Sequence, residues 1–407
     1  MNSSNATIAR LAVFPLLALA FAGCRSHDFP QYPPNYREYA YVTNGGSGTV
    51  SVYDVVNVRL DREIAVGLNP VAVAASPSRN QVYVVNSGAA GGQGSVSVID
   101  AENNSISATI AVHRQPVSIE IDPAGELAYV TNSGSNTISV IDLKARREIG
   151  VIGAGEEPAA ARISPDGKTL VVANRRGNSV SLFDLSNLAP PAARFIAPSV
   201  RAVFEDCPGA SDVVILPDSS KAFAACSAGH QIMAIRLARA AARSPAPDSS
   251  PTLPAQPDRL EALLDVGQAP VQLALKPDGG ELFVLNSVSN SISEVVTTTN
   301  DAGGSYMIGD DPVRGLVSAD NALLYVANFH SQYVTIYSID DGKRIGSIQA
   351  GDGPSALAFS SSGLLLFVVD ARSADVAVVR AGSFSLFTLL PAGRAPNAIA
   401  VKAFKLP

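Results

Sequence analysis

The sequence predicts an all-β protein, a β-propeller built from four-stranded blades. Three observations predict this fold: a four-residue motif that recurs along the chain, a proline that opens a short strand of small residues before most copies, and tight turns between strands. Units of about 40–45 residues that each hold four short strands are typical of propeller blades.

The recurring motif is Tyr41-Val42-Thr43-Asn44, and successive copies most often lie 42 residues apart, as Asn44 and Asn86 do. Because the terminal asparagine returns in nearly every unit, we expect it to be structural, with its amide capping the turn after the strand. The other copies are residues 83–86, 129–132, 171–174, 283–286 and 325–328, with degenerate copies at 223–226 and 367–370.

One unit, residues 157–196, illustrates the strand pattern. Pro158 opens a strand of small residues over 159–163, which suits the crowded axis of a propeller. The turn that follows reads Ser-Pro-Asp-Gly, in which proline fixes φ and glycine accepts a positive φ. The three remaining strands of this unit are predicted over 170–174, 179–184 and near 194–196.

The blade count follows from the strand openings and the chain ends. The chain begins on a second strand, at Tyr41, and ends on a first strand that starts at Pro396. The C-terminal strand is therefore expected to join the N-terminal blade and close the ring, which removes two open edges. Eight blades are favoured, with seven as the alternative. The prolines that open first strands are Pro70, Pro116, Pro158, Pro208, Pro270, Pro312, Pro354 and Pro396.

These motifs resemble the YVTN-repeat β-propeller family, which includes surface-layer-type and lactonase-like exported propellers. The resemblance covers about residues 39–404. Most members are described as seven-bladed, so this chain either has eight blades or contains one unit that is not a true blade. The unit that carries Cys226 is the weakest copy of the repeat.

The first 24 residues predict an export signal. Arg10 precedes an apolar run over 11–22, which is shorter than the ~20 residues that a membrane span needs. The sequence Phe21-Ala22-Gly23-Cys24 resembles the bacterial lipobox, in which the cysteine becomes the acylated N-terminus. Phe21 stands where leucine is commoner, which leaves cleavage by the ordinary signal peptidase as the alternative.

A lipid anchor at Cys24 would place the protein in the cell envelope. By resemblance to enterobacterial sorting, Arg25 favours the outer membrane, with the propeller facing the periplasm or the surface. Residues 25–38 are rich in proline and tyrosine and predict a tether, and 39–404 form the single propeller. Residues 238–257, rich in Ala and Arg and then in Pro and Ser, predict a flexible insertion.

Charge and motif content exclude several functional classes. The net charge is −6, and no basic patch is dense enough to hold phosphates, so nucleic acid is not an expected partner. No nucleophile elbow, phosphate-binding loop or Cys-x-x-Cys pair is present. His113, His230 and His330 come from different units without metal-ligand spacing, so we expect no metal and no cofactor. We expect a monomer.

Two cysteines beyond the signal predict a disulfide. Cys207 precedes Pro208 at the start of a first strand, and Cys226 ends the neighbouring second strand. These positions meet in an antiparallel hairpin, and an exported protein lies in an oxidising compartment. The bridge would staple the degenerate unit and its insertion, and two reduced, buried thiols are the alternative.

Candidate ligand-binding residues lie in the loops that enter first strands and in those that follow second strands. Both sets of loops open on one face of a propeller, around its axis, which we call the axial face. A ring of mixed charge there suits a polar ligand, and ordinary solvated loop tips are the alternative. The candidates are Arg114, Glu157, Arg175, Arg176, His230, Asp311, Arg314, His330, Asp370, Arg372 and Arg394.

The sequence leaves three functional hypotheses. The favoured one is a non-catalytic envelope protein that binds a small molecule or an envelope protein, or acts as a scaffold, through the axial face. The second, implied by the resemblance, is a lactonase-like hydrolase that opens a sugar lactone, for which no catalytic residue stands out. The third and most remote is a haem-binding propeller with His330 or His230 as the axial ligand.

Overall fold

The computed structural model describes residues 32–188, 195–238 and 256–406. Within these ranges 32 strands form eight four-stranded antiparallel sheets. The innermost strand of each sheet contacts the innermost strands of the two neighbouring sheets, which closes a ring. The prediction of an all-β propeller with eight blades is therefore confirmed. Apart from a 3-10 turn at Ser133–Ser135, the described residues contain no helix, and none long and apolar enough to cross a membrane.

The strands follow the blades in chain order. Three strands open blade 1: β1 (Tyr36–Asn44), β2 (Thr49–Asp54) and β3 (Arg59–Ala65). Blades 2 to 4 contain β4 (Pro70–Ala75), β5 (Gln81–Asn86), β6 (Gln93–Asp100) and β7 (Ser105–Arg114); β8 (Pro116–Ile121), β9 (Leu127–Asn132), β10 (Thr137–Asp142) and β11 (Arg147–Gly153); and β12 (Pro158–Ile163), β13 (Thr169–Asn174), β14 (Ser179–Asp184) and β15 (Val200–Phe204).

Blades 5 to 8 have the same four-strand order from the axis outward. They contain β16 (Ala210–Ile215), β17 (Lys221–Cys226), β18 (Gln231–Arg236) and β19 (Arg259–Asp265); β20 (Pro270–Leu275), β21 (Glu281–Asn286), β22 (Ser291–Val296) and β23 (Asp301–Met307); β24 (Pro312–Val317), β25 (Leu323–Asn328), β26 (Tyr333–Ser338) and β27 (Lys343–Gln349); and β28 (Pro354–Phe359), β29 (Leu365–Asp370), β30 (Asp375–Arg380) and β31 (Ser385–Pro391).

The last strand, β32 (Pro396–Lys405), closes the ring. It pairs with β1 antiparallel, from Tyr36 opposite Lys405 to Asn44 opposite Pro396, and forms the innermost strand of blade 1. The predicted closure of the N-terminal blade by the C-terminal strand is thus confirmed. It leaves no open inner edge in the ring.

The hydrophobic core lies between neighbouring blades, where second and third strands pack face to face. One cluster, for example, joins Tyr83 and Val98 of blade 2 to Ile119 and Val130 of blade 3. Burial of the aromatic ring that opens the motif contributes on the order of 2 kcal/mol per side chain. These nearly fully buried rings are Tyr41, Tyr83, Tyr129, Phe223, Phe283, Tyr325 and Phe367.

The repeated asparagine is buried at the end of the second strand. In blade 4, Asn174 Nδ2 donates to Ser179 Oγ at 3.2 Å and to Ser181 Oγ at 2.9 Å, and its Oδ1 accepts from the backbone N of Gly155 at 3.0 Å. A Cβ on Gly155 would lie 2.6 Å from Asn174 Cγ, so this position requires glycine. The glycine–asparagine contact therefore joins the second strand to the third strand and to the loop that enters the blade.

The same close approach of glycine and asparagine recurs around the ring. A hydroxyl on the third strand accepts from the asparagine amide in each of these blades as well. The other pairs are Gly67 with Asn86, Gly267 with Asn286, Gly309 with Asn328 and Gly393 with Asn44.

Blade 5 replaces this contact with a covalent bond. Cys207 and Cys226 are fully buried and form a disulfide with a Cα–Cα distance of 4.7 Å, as predicted. The prediction that Pro208 opens the first strand is wrong, because β16 begins at Ala210, opposite Cys226. Cys207 takes the position of the entry-loop glycine, so the proline falls two residues earlier than in the other blades.

Other predicted boundaries differ or lie outside the described residues. The fourth strand of blade 4 is β15, several residues after the predicted 194–196, and β1 and β32 extend the predicted propeller of 39–404 slightly at both ends. The predicted signal at 1–24 with Cys24, the first part of the tether up to residue 31, and residues 239–255 of the predicted insertion lie outside the described residues.

Candidate functional site

A residue in the left-handed backbone conformation precedes every innermost strand and shapes the axial face. Its backbone carbonyl accepts the N–H of the residue that follows the second strand of the same blade, as Glu157 O does from Arg175 N at 2.9 Å. Non-glycine residues rarely adopt this conformation, so its repetition shows how strictly the loop geometry is set. The eight residues, with φ between 48° and 72°, are Asn69, Gln115, Glu157, Gly209, Ala269, Asp311, Gly353 and Ala395.

Side chains in the loops after second strands tie four blades to the next. Asn136 Oδ1 accepts from Glu157 N at 2.9 Å, and Asn178 and Asn290 make the equivalent bonds to blades 5 and 7. His230 occupies the same position in blade 5, where its Nδ1 accepts from Ala269 N at 3.1 Å. The predicted ligand-binding candidate His230 therefore makes a hydrogen bond that joins blade 5 to blade 6.

A polar cavity of about 600 Å³ opens on the axial face between blades 3 and 4. It brings together the predicted candidates Glu157 and Arg176. Arg175 does not line the cavity, and its Nη1 lies 3.8 Å from Glu157 Oε1. Carboxylate, guanidinium and amide groups converge there, which suits a ligand with several hydrogen-bonding groups. The lining residues are Gln115, Ser133, Gly134, Asn136, Glu156, Glu157 and Arg176.

A second group of candidates meets where blades 7 and 8 adjoin. His330 Nδ1 lies 3.2 Å from Asp311 Oδ2, and the histidine side chain is 51% exposed. The Arg372 guanidinium lies 4.6 Å from the centre of the Phe329 ring, and its Nη1 is 3.9 Å from Asp352 Oδ1. An oriented histidine and a cation therefore both lie close to one aromatic ring, Phe329.

Three other candidates are placed apart from these groups. Arg114 and Arg394 are exposed on the axial face, where their backbone N–H groups donate to Ser135 Oγ and Ser47 Oγ. Asp370 takes the asparagine position of blade 8 and is fully buried, so it presents no surface to a ligand. Burial raises the pKa of Asp370 to about 8, with a further contribution from Asp375.

Charged side chains inside the ring were missed by the sequence analysis. Arg162 on β12 has its Nη1 3.8 Å from Glu120 Oε2 on β8 and its Nη2 3.5 Å from Asp212 Oδ1 on β16. These strands are the innermost strands of three successive blades. Arg314, a predicted candidate, lies on the innermost strand β24 of blade 7 rather than in a loop. One feature of the sequence could have indicated them: β8, β12, β16 and β24 each carry a single charged residue among small or apolar ones.

Burial and the neighbouring opposite charges shift the pKa values of Glu120, Arg162 and Arg314 in opposite directions. Burial raises the pKa of the Glu120 carboxyl, which Arg162 only partly offsets. Burial also disfavours the charge of Arg162, but the carboxylates of Glu120 and Asp212 outweigh it and raise the pKa of Arg162. For Arg314 burial prevails and lowers the pKa, because the attraction of Asp212 is weaker and Arg162 adds repulsion.

Comparison with known proteins identifies the fold and no family. No protein-family model matches the chain, and no curated protein matches it. The resemblance to the YVTN-repeat family therefore stays a prediction based on the motif.

The fold is shared with solved propellers of low sequence identity. A putative 6-phosphogluconolactonase from Bacteroides fragilis NCTC 9343 is 14% identical, with a TM-score of 0.60 over 92% of this chain and 99% of that one. The dihydro-heme d1 dehydrogenase NirN in complex with DHE is 16% identical, with a TM-score of 0.69 over 91% and 76%. Apo AztD from Citrobacter koseri is 13% identical, with a TM-score of 0.63 over 90% and 98%. At such identities the similarity concerns the propeller fold alone.

Proposed function

We propose that this chain is an exported, lipid-anchored envelope protein that binds a small polar molecule at the axial face. The observation that carries the proposal is the cavity of about 600 Å³ between blades 3 and 4. Its carboxylates, Glu156 and Glu157, would accept hydrogen bonds from ligand hydroxyl or ammonium groups, and the Arg176 guanidinium would donate to a ligand oxygen.

The disulfide supports export, because such bonds persist in oxidising compartments. Anchoring at Cys24 is tested by membrane fractionation of cells that express the full chain. The Cys24→Ser variant is expected either to appear in the soluble fraction or to accumulate with the membrane as uncleaved precursor of larger mass. Membrane retention of this variant at the size of the mature protein would contradict the lipid anchor.

Ligand binding at the cavity is tested by calorimetry with sugar acids, sugar lactones and amino acids as probes. Glu157→Gln and Arg176→Gln each remove one charge from the lining and are expected to weaken binding about tenfold or more, the cost of one charge-assisted hydrogen bond. Lys144→Gln, an exposed change in the turn between the third and fourth strands of blade 3, is the matched control. A probe that binds all variants equally would place its site elsewhere.

A lactonase-like hydrolase is the second candidate, favoured by the contact between His330 and Asp311. With Nδ1–H donated to Asp311, His330 Nε2 can take a proton from water as the water oxygen attacks the lactone carbonyl carbon. The ring C–O bond then breaks, and the imidazolium returns the proton to the leaving oxygen, which yields a hydroxy acid. The nearby Arg372 would stabilise the negative charge of the intermediate.

The two candidates are separated by turnover measurements on a panel of lactones. If the hydrolase proposal holds, His330→Ala lowers kcat by about 100-fold or more, whereas Glu157→Ala and Arg175→Ala, in the other cluster, leave kcat largely unchanged. Absence of turnover by the unmodified protein would remove this candidate and leave the binding proposal intact. The haem hypothesis is disfavoured for His230 as the axial ligand, since His230 Nδ1 accepts from Ala269 N; for His330 it is tested by the visible absorbance of the purified protein.

A further inference from the structure

The innermost strands of the eight blades surround a central channel. Three consecutive blades carry longer polar side chains at one level of its wall. Asp212, Gln272 and Arg314 each pair, in register, with the residue that precedes the end of the second strand. They therefore lie at equivalent depth, on the innermost strands of blades 5, 6 and 7. The other five blades have small residues at this level, namely Ala72, Ser118, Ala160, Ala356 and Ala398.

The first two of these side chains connect each blade to the next. Asp212 Oδ2 accepts from Leu273 N of blade 6 at 3.1 Å, and Gln272 Oε1 accepts from Gly315 N of blade 7 at 2.7 Å. Both bonds require an acceptor on the side chain. Arginine has five N–H donors and no acceptor, so Arg314 cannot make the corresponding bond to the backbone N–H of blade 8.

The Arg314 guanidinium has no hydrogen-bond or ion-pair partner in residues 32–188, 195–238 and 256–406, and the side chain is exposed within the ring. The acidic group whose charge acts on it, Asp212, is already bonded to Leu273 N and paired with Arg162 Nη2. An unpaired cation in a channel attracts a mobile counter-anion, because the low-dielectric walls of protein concentrate its field. Burial and the repulsion from Arg162 both disfavour its charge and lower its pKa, and Asp212 offsets only part of this.

We propose that Arg314 anchors an anion site inside the channel, which binds a small molecule through a carboxylate or a phosphate. The planar fork of the guanidinium matches either group in a bidentate arrangement. Arg162, the other arginine on an innermost strand, is already paired with Glu120 and Asp212 and so lacks this free capacity. The bound anion supplies the counter-charge that the protein itself does not provide.

This site shares no residue with the cavity between blades 3 and 4, so the inference is independent of the proposed ligand at the axial face. Arg314 lies on blade 7, and the cavity is lined by loops of blades 3 and 4. Loss of binding in variants of Glu157 or Arg176 therefore tests the first proposal alone, and loss in variants of Arg314 tests the second alone.

The test uses the folded protein, with inorganic phosphate and succinate as probes and chloride at matched ionic strength as the control. We expect calorimetry to detect binding of at least one probe, with Arg314→Gln weakening it at least tenfold. Arg314→Lys keeps the charge without the planar fork, and its affinity for the probe is expected to lie between those of the unmodified protein and Arg314→Gln. Arg59→Gln, an exposed arginine on β3, is the control and is expected to bind like the unmodified protein. The stronger of the two probes identifies the class of ligand.

A stability measurement in anion-free buffer separates ligand binding from a structural role. Since the guanidinium has no partner in the described structure, Arg314→Gln is expected to leave the melting temperature unchanged or to raise it. A marked fall would show that the ring needs this charge, which would overturn the proposal. It would also be overturned if neither probe binds, or if Arg314→Gln binds as tightly as the unmodified protein.

Discussion

Blades 5 and 8 both lack the buried asparagine that six other blades share, and they replace it in different ways. In blade 5 the pair becomes Cys207 and Cys226, joined covalently. In blade 8 Gly351 is retained, and its backbone N donates to Asp370 Oδ2 at 2.9 Å. One position in the repeat can therefore be neutral, redox-dependent or pH-dependent while the strand geometry stays the same.

The difference follows from the partners that each blade offers on its third strand. Asn286 has the hydroxyls of Ser291 and Ser293. Asp370 is paired in register with the half-buried Asp375 at the first of these positions. The burial of Asp370, together with this neighbouring carboxyl group, favours retention of a proton. The acid thus takes the place of an amide by remaining protonated.

Breaking the bridge of blade 5 is expected to have the largest effect. The Cys207→Ala/Cys226→Ala double variant should lower the free energy of unfolding by about 3 kcal/mol, the typical value for a bridge that closes a loop of this length, here with a sequence separation of 19. Urea unfolding with and without reductant measures this. Cys24→Ala should leave the response to reductant unchanged. A loss under about 1 kcal/mol would show that the bridge does not staple the blade.

Restoring the amide in blade 8 is expected to have an intermediate effect that depends on pH. The pKa of Asp370 is about 8 in the folded protein, above the value near 3.9 of an unfolded chain. Its stabilisation is therefore complete below pH ~4 and is lost as the pH rises through about 8. Asp370→Asn should be more stable than the unmodified protein by roughly 2 kcal/mol at pH 8, within the limit of about 1.4 kcal/mol per pH unit.

Chemical unfolding at pH 5, 6, 7 and 8 measures this difference. Asn286→Asp is the matched control, because Ser291 and Ser293 can donate hydrogen bonds to a carboxylate there. The pH dependence of stability that Asn286→Asp adds to the unmodified protein should be weaker than the pH dependence that Asp370→Asn removes. Identical slopes for the unmodified protein and Asp370→Asn would show that Asp370 does not titrate in this range.

The smallest effect is expected at His230, which stands where Asn136, Asn178 and Asn290 lie in other blades. His230→Asn should change stability by less than about 0.5 kcal/mol, whereas His230→Ala should cost about 1 kcal/mol through the lost hydrogen bond to Ala269 N. Thermal unfolding distinguishes the two. If His230→Asn instead abolishes ligand binding at unchanged stability, the residue belongs to a ligand site.

The repeat and the closure could be predicted from the sequence because each blade repeats the same local chemistry. The motif, the prolines and the two cysteines fix strand order and hairpin pairing. The channel wall could not be predicted in this way. Taking Pro208 as the start of a strand puts Asp212 level with Glu120 and Arg162, whereas its register places it level with Gln272 and Arg314.

The cavity between blades 3 and 4 could not be predicted from the sequence either, for a different reason. Glu157 and Arg176 were identifiable as loop residues of the axial face, but their convergence depends on left-handed residues such as Gln115 and Glu157. Glutamine and glutamate carry no local preference for that conformation. The surrounding ring imposes it, and only the assembled fold reveals which loops meet.

The pairing of β1 with β32 also sets an order of events during synthesis. β1 must wait for β32, so a nascent chain carries an open seam until β32 has been made. The length of the intervening loop adds little free-energy cost, because loop entropy grows only with the logarithm of length, although it lengthens the search. A chain that stops before Pro396 keeps an unpaired inner edge on β1, and this edge distinguishes it from the finished protein.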